Sequence, residues 1–518
     1  MIHGVIELFL YGLNRKLMIM PFSCPVRNRL SKYIKNNPIH LRHLLLILLL
    51  AWVAALYPKR INLVASDLGR HIKNGEIVFK QGKIISTNYY SYTVPDYPFP
   101  THHWGIGVIY YVIWKTTGFK GLSVFNTLCI LMSLFFFYRS AEKLSNYKYA
   151  FLFSLLIIPL LLFRVEVRPE NVSYLFAGAV FFLLVRYHLK EITFKRLLTA
   201  MVIIQVLWVN IHIFFIFSLL FTGIFWFQHL VTRQSVKHYS ILLGALILAS
   251  MVSPFHVKAF LEPFTIMHNF EMKISENLPV PLTENGHLFR NLYFFYFKLV
   301  FLISLISFVF VILKRNLLSQ SAYPLLFLFI GILSWKMNRF IALFGLVMIP
   351  VLAHNHRIII ENYKTTVHTV FYCMIWYGII NFSLIQSRSV LAKTGLGLED
   401  ERVNNAAYFF KNKGLKGPVL NNMNIGSYLI FHLFPQEKVF FDARPEAYPA
   451  TFISDVYRPV FQRPEKWREG LAKYRFNVIF FYKRVMTDYE KSFLEERLSD
   501  PQWAVVFNDD YSIILIRK

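Results

Sequence analysis

The chain has 518 residues, with 56 Lys and Arg against 29 Asp and Glu, a formal charge of +27. Hydrophobic residues make up 55% and charged residues 16%, where a soluble globular domain carries about 25% charged residues. These figures exclude a disordered chain, a disulfide scaffold and a cytosolic enzyme, and leave a polytopic membrane protein. The three cysteines, Cys24, Cys129 and Cys373, form no disulfide framework and no zinc spacing. The charge is uneven: residues 387–518 hold 20 basic and 16 acidic side chains, the first 386 hold 36 and 13. The excess bases sit in short loops between apolar runs, where they orient a membrane protein; nucleic acid is not expected as a partner.

Residues 1–42 read as a basic cytosolic segment. Residues 43–57 form the first spanning run, preceded by bases, so its start is expected in the cytosol. A long polar loop rich in Tyr and Pro follows over 59–103 and is expected outside. Further apolar runs lie near 105–138 (with a break expected at Gly118 to Gly121), 150–163, 172–186, 197–212, 213–230, 241–254, 293–313, 322–335, 340–354 and 367–386. This gives about 11 crossings over a transmembrane domain at 43–386, with the N-terminus inside and the C-terminus outside. Residues 387–518 read as an extracytoplasmic α/β domain. A helix is expected over 402–413, strands over 417–421, 438–442 and 477–482, a helix over 488–498, and a strand pair at 503–507 and 511–517.

Acids are scarce in the membrane body. Asp67 follows the first run within Asp67-Leu-Gly-Arg70-His71, which brings a carboxylate, a guanidinium and an imidazole together at the membrane surface. The carboxylate suits proton acceptance from a hydroxyl, and Arg70 suits a phosphate; a helix cap paired with Arg70 is the alternative. The loop from Asn88 ends in His102, His103 and Trp104. Neighbouring histidines point apart in most backbones, so a metal is not expected there. Arg164, Glu166, Arg168 and Glu170 form a charged patch between apolar runs, where charge is expensive and marks function unless the loop is solvated. Arg168 precedes Pro169, so its backbone is expected to be extended. Asn210 and His212 interrupt an apolar run, and Arg339 adds a cation at an external helix end.

With these features the chain resembles the GT-C superfamily of membrane glycosyltransferases, which use polyprenyl-phosphate sugar donors: protein mannosyltransferases, the aminoarabinose transferase of lipid A and oligosaccharyltransferases. It looks closest to a family of bacterial membrane proteins of that type. The resemblance rests on an Asp just after the first helix, the long first loop, and the C-terminal domain. It rests also on the ordered motifs Asp67-Leu-Gly-Arg70-His71 with Gly75, Asn88-Tyr-Tyr-Ser-Tyr-Thr93, His102-His103-Trp104, Arg168-Pro-Glu170, Trp208-Val-Asn-Ile-His212, Ser253-Pro-Phe255, Met337-Asn-Arg-Phe340, Gly426-Ser-Tyr-Leu429 and Phe441-Asp-Ala-Arg444. Two departures are His103 where relatives carry Glu, which removes a second loop carboxylate, and Ala443 where they carry Gly.

The resemblance implies an inverting transferase in a bacterial inner (plasma) membrane, moving a sugar from a polyprenyl-phosphate donor to a glycan, lipid or protein acceptor on the outer face. Asp67 would be the catalytic base; Arg70, Arg164, Arg168 and Arg339 would hold the donor phosphate. His71, His102, His103, Trp104, Asn210 and His212 would contact substrate. No cofactor is required, and nothing in the residues calls for a divalent metal. Alternatives are a polysaccharide polymerase or ligase working through Arg and His, and a non-enzymatic glycan or lipid transporter or assembly scaffold.

Overall fold

The structure, a computed structural model, describes residues 38–64, 66–265, 275–283, 292–313, 321–362, 375 and 394–518. The basic N-terminal segment before residue 38 and most of the expected run at 367–386 lie outside them. The chain is mostly helical. The helices of the membrane body are α1 (Pro38–Leu56), α2 (Leu68–Gln81), α3 (Trp104–Leu144), α4 (Tyr147–Leu161), α5 (Pro169–His188), α6 (Phe194–Val209), α7 (Ile216–Val231), α8 (Lys237–Ala249), α9 (Val257–Thr265), α10 (Leu292–Ile312), α11 (Ala322–Lys336) and α12 (Ile341–Asn362). Among the described residues five helical segments are long and apolar enough to cross a membrane: Ile39–Leu56, Trp104–Leu144, Ile213–Val231, Leu292–Ile312 and Asn338–Glu361. Helices α4, α8 and α11 are shorter apolar ones.

Local chemistry sets the helix ends. The Asn146 side chain accepts from the backbone N–H of Lys148 and Tyr149 to start α4, and Thr193 caps α6. Arg168 is extended (φ −139°, ψ 154°) and Pro169 opens α5, as an X-Pro pair at a helix start requires. Inside α3, Gly118 adopts φ 65° and ψ −161°, a backbone open to glycine at no steric cost. The expected break therefore falls there, and it divides an N-terminal stretch from a longer apolar one.

Helix α2 packs on α3 through two glycines. A Cβ at Gly75 would lie 1.9 Å from the Gly107 carbonyl oxygen, so any side chain there would force the two helices apart. The C-terminal region contributes α13 (Asn405–Asn412), α14 (Gly426–Leu433), α15 (Pro464–Tyr474) and α16 (Asp488–Ser499). Its sheet has strands β1 (Val419–Asn421), β2 (Val478–Tyr482), β3 (Trp503–Asn508) and β4 (Ser512–Arg517) in the order β1-β2-β4-β3. β1 and β2 are parallel; the other pairs are antiparallel, with a bulge between Val505 and Phe507.

Side chains alternate across a strand, and both faces of this sheet are used. Ile479 and Phe481 of β2 join a core with Trp467, Phe493 and Trp503. Val478, Phe480 and Tyr482 join the core that also holds Leu68, Ile72, Tyr90 and Ile106. One sheet face thus packs into the same core as α2 and the first loop. Bridges Lys59 to Thr394, Ile61 to Leu398 and Ser91 to Val439 tie loop and tail further. The strand expected at 438–442 is absent: Val439 makes only isolated bridges, to Ser91 and Val419. The Asn421 side chain replaces the ladder, accepting from Phe440 N–H at 2.9 Å and donating to the Phe441 carbonyl at 2.7 Å.

Candidate active site

Asp67 stands at the start of α2, half-exposed, with no capping hydrogen bond from its side chain. The nearest cation, Arg70 Nη2, is 3.9 Å from its Oδ1, and Ser427 Oγ of α14 is 3.5 Å away. Both contacts are long for a hydrogen bond, so the carboxylate is held in place without being consumed by a partner. Of the capped, ion-paired alternative, the helix end shows Asp67 at the N-cap and the long pair with Arg70, but no capping hydrogen bond from the side chain. Glycine makes the approach of α14 feasible: a Cβ on Gly69 would lie 2.8 Å from the Ser427 carbonyl oxygen. Arg70 is buried, and its Nε has no hydrogen-bond partner among the described residues.

Four histidines gather beside it. The His71 and His103 ring centroids are 5.5 Å apart, His102 and His103 4.0 Å, and His103 and His212 5.0 Å. The expectation that His102 and His103 diverge is corrected here, because the turn before α3 brings their rings together, tilted at 52°. Burial pushes the His102 pKa down to about 4, and burial with the nearby Arg70 charge holds His71 well below its ordinary value. Burial and the neighbouring imidazoles do the same to His103. The three are therefore neutral at neutral pH. His71 Nδ1, His102 Nε2 and His103 Nε2 are buried without a hydrogen-bond partner among the described residues. His102 Nδ1 lies 3.7 Å from Glu262 of α9.

Trp104 Nε1 donates to Asn210 Oδ1 at 2.9 Å, and Asn210 Nδ2 donates to the carbonyls of Val206 and Val252. The Gly105 N–H donates to the Asn210 carbonyl at 2.9 Å. Trp104 and Asn210 thus pin the start of α3 to the end of α6. His212 Nδ1 shares Ser173 Oγ with Trp208 Nε1, each at 2.9 Å.

The other three arginines are not free cations. Glu170 accepts from both Arg164 and Arg339. Glu276 takes Arg164 at 2.9 Å and Arg168 at 2.5 Å. The partner of Arg168 is thus Glu276, far along the chain, and not one of the acids next to it in the patch. Burial opposes the Glu276 charge, but Arg164 and Arg168 outweigh it and lower its pKa. Arg168 is the most open of the four, with 29% of its side chain exposed against 7% for Arg70 and Arg164 and 18% for Arg339. Burial opposes its charge too, and Glu276, with smaller contributions from Glu170 and Asp67, raises its pKa. Three arginines against two carboxylates leave this cluster with a net positive charge.

Sequence reasoning gave Glu276 no role, and it named the motif Phe441-Asp-Ala-Arg444 without showing that Asp442 and Arg444 form a buried pair. Arg444 binds Asp442 with Nε at 2.7 Å, and its Nη2 donates to Asn88 of the first loop at 2.9 Å. Asp442 also accepts from Tyr448 at 3.0 Å. Among the described residues no group of three or more His, Cys, Asp or Glu side chains converges as a metal site.

No protein-family model matches the chain, and no curated protein does. Solved structures do. The apo oligosaccharyltransferase of Archaeoglobus fulgidus is similar with a TM-score of 0.61 and 11% identity, covering 86% of this chain and 70% of that one. Arabinofuranosyltransferase AftD from Mycobacteria gives 0.57 and 12%, covering 92% of this chain and 40% of that one. Apo ArnT from Cupriavidus metallidurans gives 0.51 and 12%, covering 93% and 98%. The chain shares the fold of these three structures, as the GT-C resemblance led one to expect.

Proposed function

We propose that this chain is an inverting glycosyltransferase of the GT-C type that takes a sugar from a polyprenyl-phosphate donor at the outer face of a bacterial inner membrane. The observation that carries the reading is Asp67: a half-exposed carboxylate without a tight partner, beside neutral histidines. The arginine cluster adds net positive charge. The archaeal oligosaccharyltransferase, of the same fold, has been seen in complex with a dolichol-phosphate.

In this reading an acceptor hydroxyl oxygen bonds to the anomeric carbon from the face opposite the phosphate. The anomeric C–O bond breaks, and its electron pair leaves with the polyprenyl phosphate. The hydroxyl proton passes to Asp67. Phosphate leaves readily, so no general acid is needed; its growing charge is met by preorganised cations in a site shielded from water. Arg168, the most open, is the principal contact, with Arg70 behind it. Arg164 and Arg339, held by Glu170, set the field rather than grip the ligand. His71, His102 and His103 offer ring nitrogens to sugar hydroxyls.

The test is donor-dependent transfer by the purified protein in proteoliposomes. Arg168→Lys keeps the charge and removes the planar fork that binds two phosphate oxygens. Loss of such a contact is expected to lower turnover by about 10²–10³. Near-normal turnover of the Lys variant would mean that Arg168 serves only its pair with Glu276, and transfer from no polyprenyl-phosphate donor by the wild type would contradict the reading itself.

A further inference from the structure

The first loop and the C-terminal domain are joined by side chains of the motif Asn88-Tyr-Tyr-Ser-Tyr-Thr93. Arg444 Nη2 donates to Asn88 at 2.9 Å, Tyr92 donates to the Val419 carbonyl at 2.9 Å, and Ser91 Oγ donates to the Phe440 carbonyl at 3.2 Å. The Phe434 ring lies beside Tyr89 and Tyr90, with centroids 5.3 and 4.9 Å away, and Tyr90 donates to Asn74 of α2 at 2.6 Å. This joint sets α14 against the start of α2. Two glycines permit the approach: a Cβ on Gly69 would lie 2.8 Å from the Ser427 carbonyl oxygen, and one on Gly426 would lie 2.6 Å from the Asp442 Cβ. Ser427, in the first turn of α14, is 2% exposed. Among the described residues its hydroxyl has one hydrogen-bond partner, Asp67 Oδ1 at 3.5 Å. Arg70 approaches the same oxygen at 3.9 Å, and no hydrogen bond from a described residue reaches Oδ2.

We propose that Ser427 is a positioning residue for Asp67, supplied by the C-terminal domain: its hydroxyl donates to Oδ1 and turns Oδ2 toward the acceptor hydroxyl. The consequence for transfer rests on the glycosyl-transfer reading; the contact itself does not. The last torsion of an Asp side chain is soft, so a half-exposed carboxylate needs a donor on one oxygen to fix its plane. A buried hydroxyl needs an acceptor in turn, and Asp67 is the one within reach. Hydrogen bonds of catalytic groups are often long in the free enzyme and tighten in the reacting complex, which suits a separation of 3.5 Å. A neutral donor also takes less proton affinity from a carboxylate than a cation in the same place. In the transfer step the acceptor proton goes to Oδ2, and Ser427 keeps its own proton throughout.

Two measurements on the full chain test this, both with Ser427→Ala. Alanine suits a helix at least as well as serine, and water can reach the half-exposed Asp67, so thermal unfolding should match the wild type. The first measurement is donor-dependent transfer in proteoliposomes. The kcat of the Ala variant should fall about 10–10²-fold through misplacement of the base, with KM for the donor unchanged. A wild-type kcat, or a loss confined to KM, would overturn the proposal. The second is an infrared spectrum of the chain in nanodiscs, carrying carbon-13 at the Asp carboxyls. The difference between wild type and Ser427→Ala should contain an Asp carboxylate band. The same difference taken in the Asp67→Asn background should lack it. No band in the first difference, or one that survives in the second, would mean that Ser427 does not act through Asp67 and serves only the packing of α14. A band that behaves as expected, with no transfer from any polyprenyl-phosphate donor by the wild type, would refute the glycosyl-transfer reading and leave the Ser427–Asp67 contact standing.

Discussion

Asp67→Asn is expected to abolish measurable sugar transfer while leaving the protein folded. A general base contributes about 10²–10⁴ in rate, and the amide cannot take the acceptor proton. The substitution is close in shape, and Asp67 makes no short side-chain bond whose loss would loosen α2. Folding should therefore be unaffected, which separates this variant from one that fails by misfolding. The measurement is turnover in proteoliposomes beside thermal unfolding of the same preparation. Wild-type turnover in the Asn variant would remove the base from the mechanism and favour a polymerase-like reaction run by arginine and histidine.

Glu170→Gln is expected to act in the opposite way, on the fold before the chemistry. Glu170 is almost wholly buried and accepts from Arg164 and Arg339, which come from different parts of the chain. Arg339 also lies over the Phe214 ring, 5.2 Å from its centroid, and the Arg164 carbonyl accepts from Tyr57 at 2.6 Å. Removing one partner of a buried pair leaves an uncompensated charge and costs about 3–5 kcal/mol. Arg164 keeps Glu276, so the larger share of the loss falls on Arg339. Thermal unfolding in detergent should show a marked drop for Gln and a smaller one for Glu170→Asp. A Gln variant as stable as the wild type would show that water already screens these pairs.

What could be read from the sequence was mostly local. Arg168-Pro169 dictates an extended residue and a helix start, and Gly118 marks the break in α3, because each constrains its own backbone. Alternation and turn residues gave β2 and the β3–β4 hairpin, and Thr487 with Glu490 forms the capping box that begins α16. The apolar run at 438–442 read as a strand, yet Asn421 satisfies the backbone groups that a neighbouring strand would have taken. Local periodicity cannot show such a side-chain substitute.

The site was legible as a list of residues and not as an arrangement. Asp67, Arg70 and His71 share one helix turn, so their proximity followed from spacing. Glu276 lies 112 residues from Arg164, and Arg444 lies 356 from Asn88. No pattern in the sequence joins residues so far apart. Counting acids and bases by loop suggested a surplus of free cations; the fold spends two carboxylates on them. The C-terminal domain read as a separate body, whereas one face of its sheet packs into the same core as α2.

The most direct measurement of the central claim is mass spectrometry of envelope glycolipids and glycoproteins. Cells with the wild-type chain, cells without it, and cells carrying Asp67→Asn at equal abundance are compared. The account predicts one glycan whose mass falls by a single sugar in the second and third samples, together with accumulation of the polyprenyl-phosphate sugar donor. Identical glycans in all three, with no donor accumulating, would contradict it.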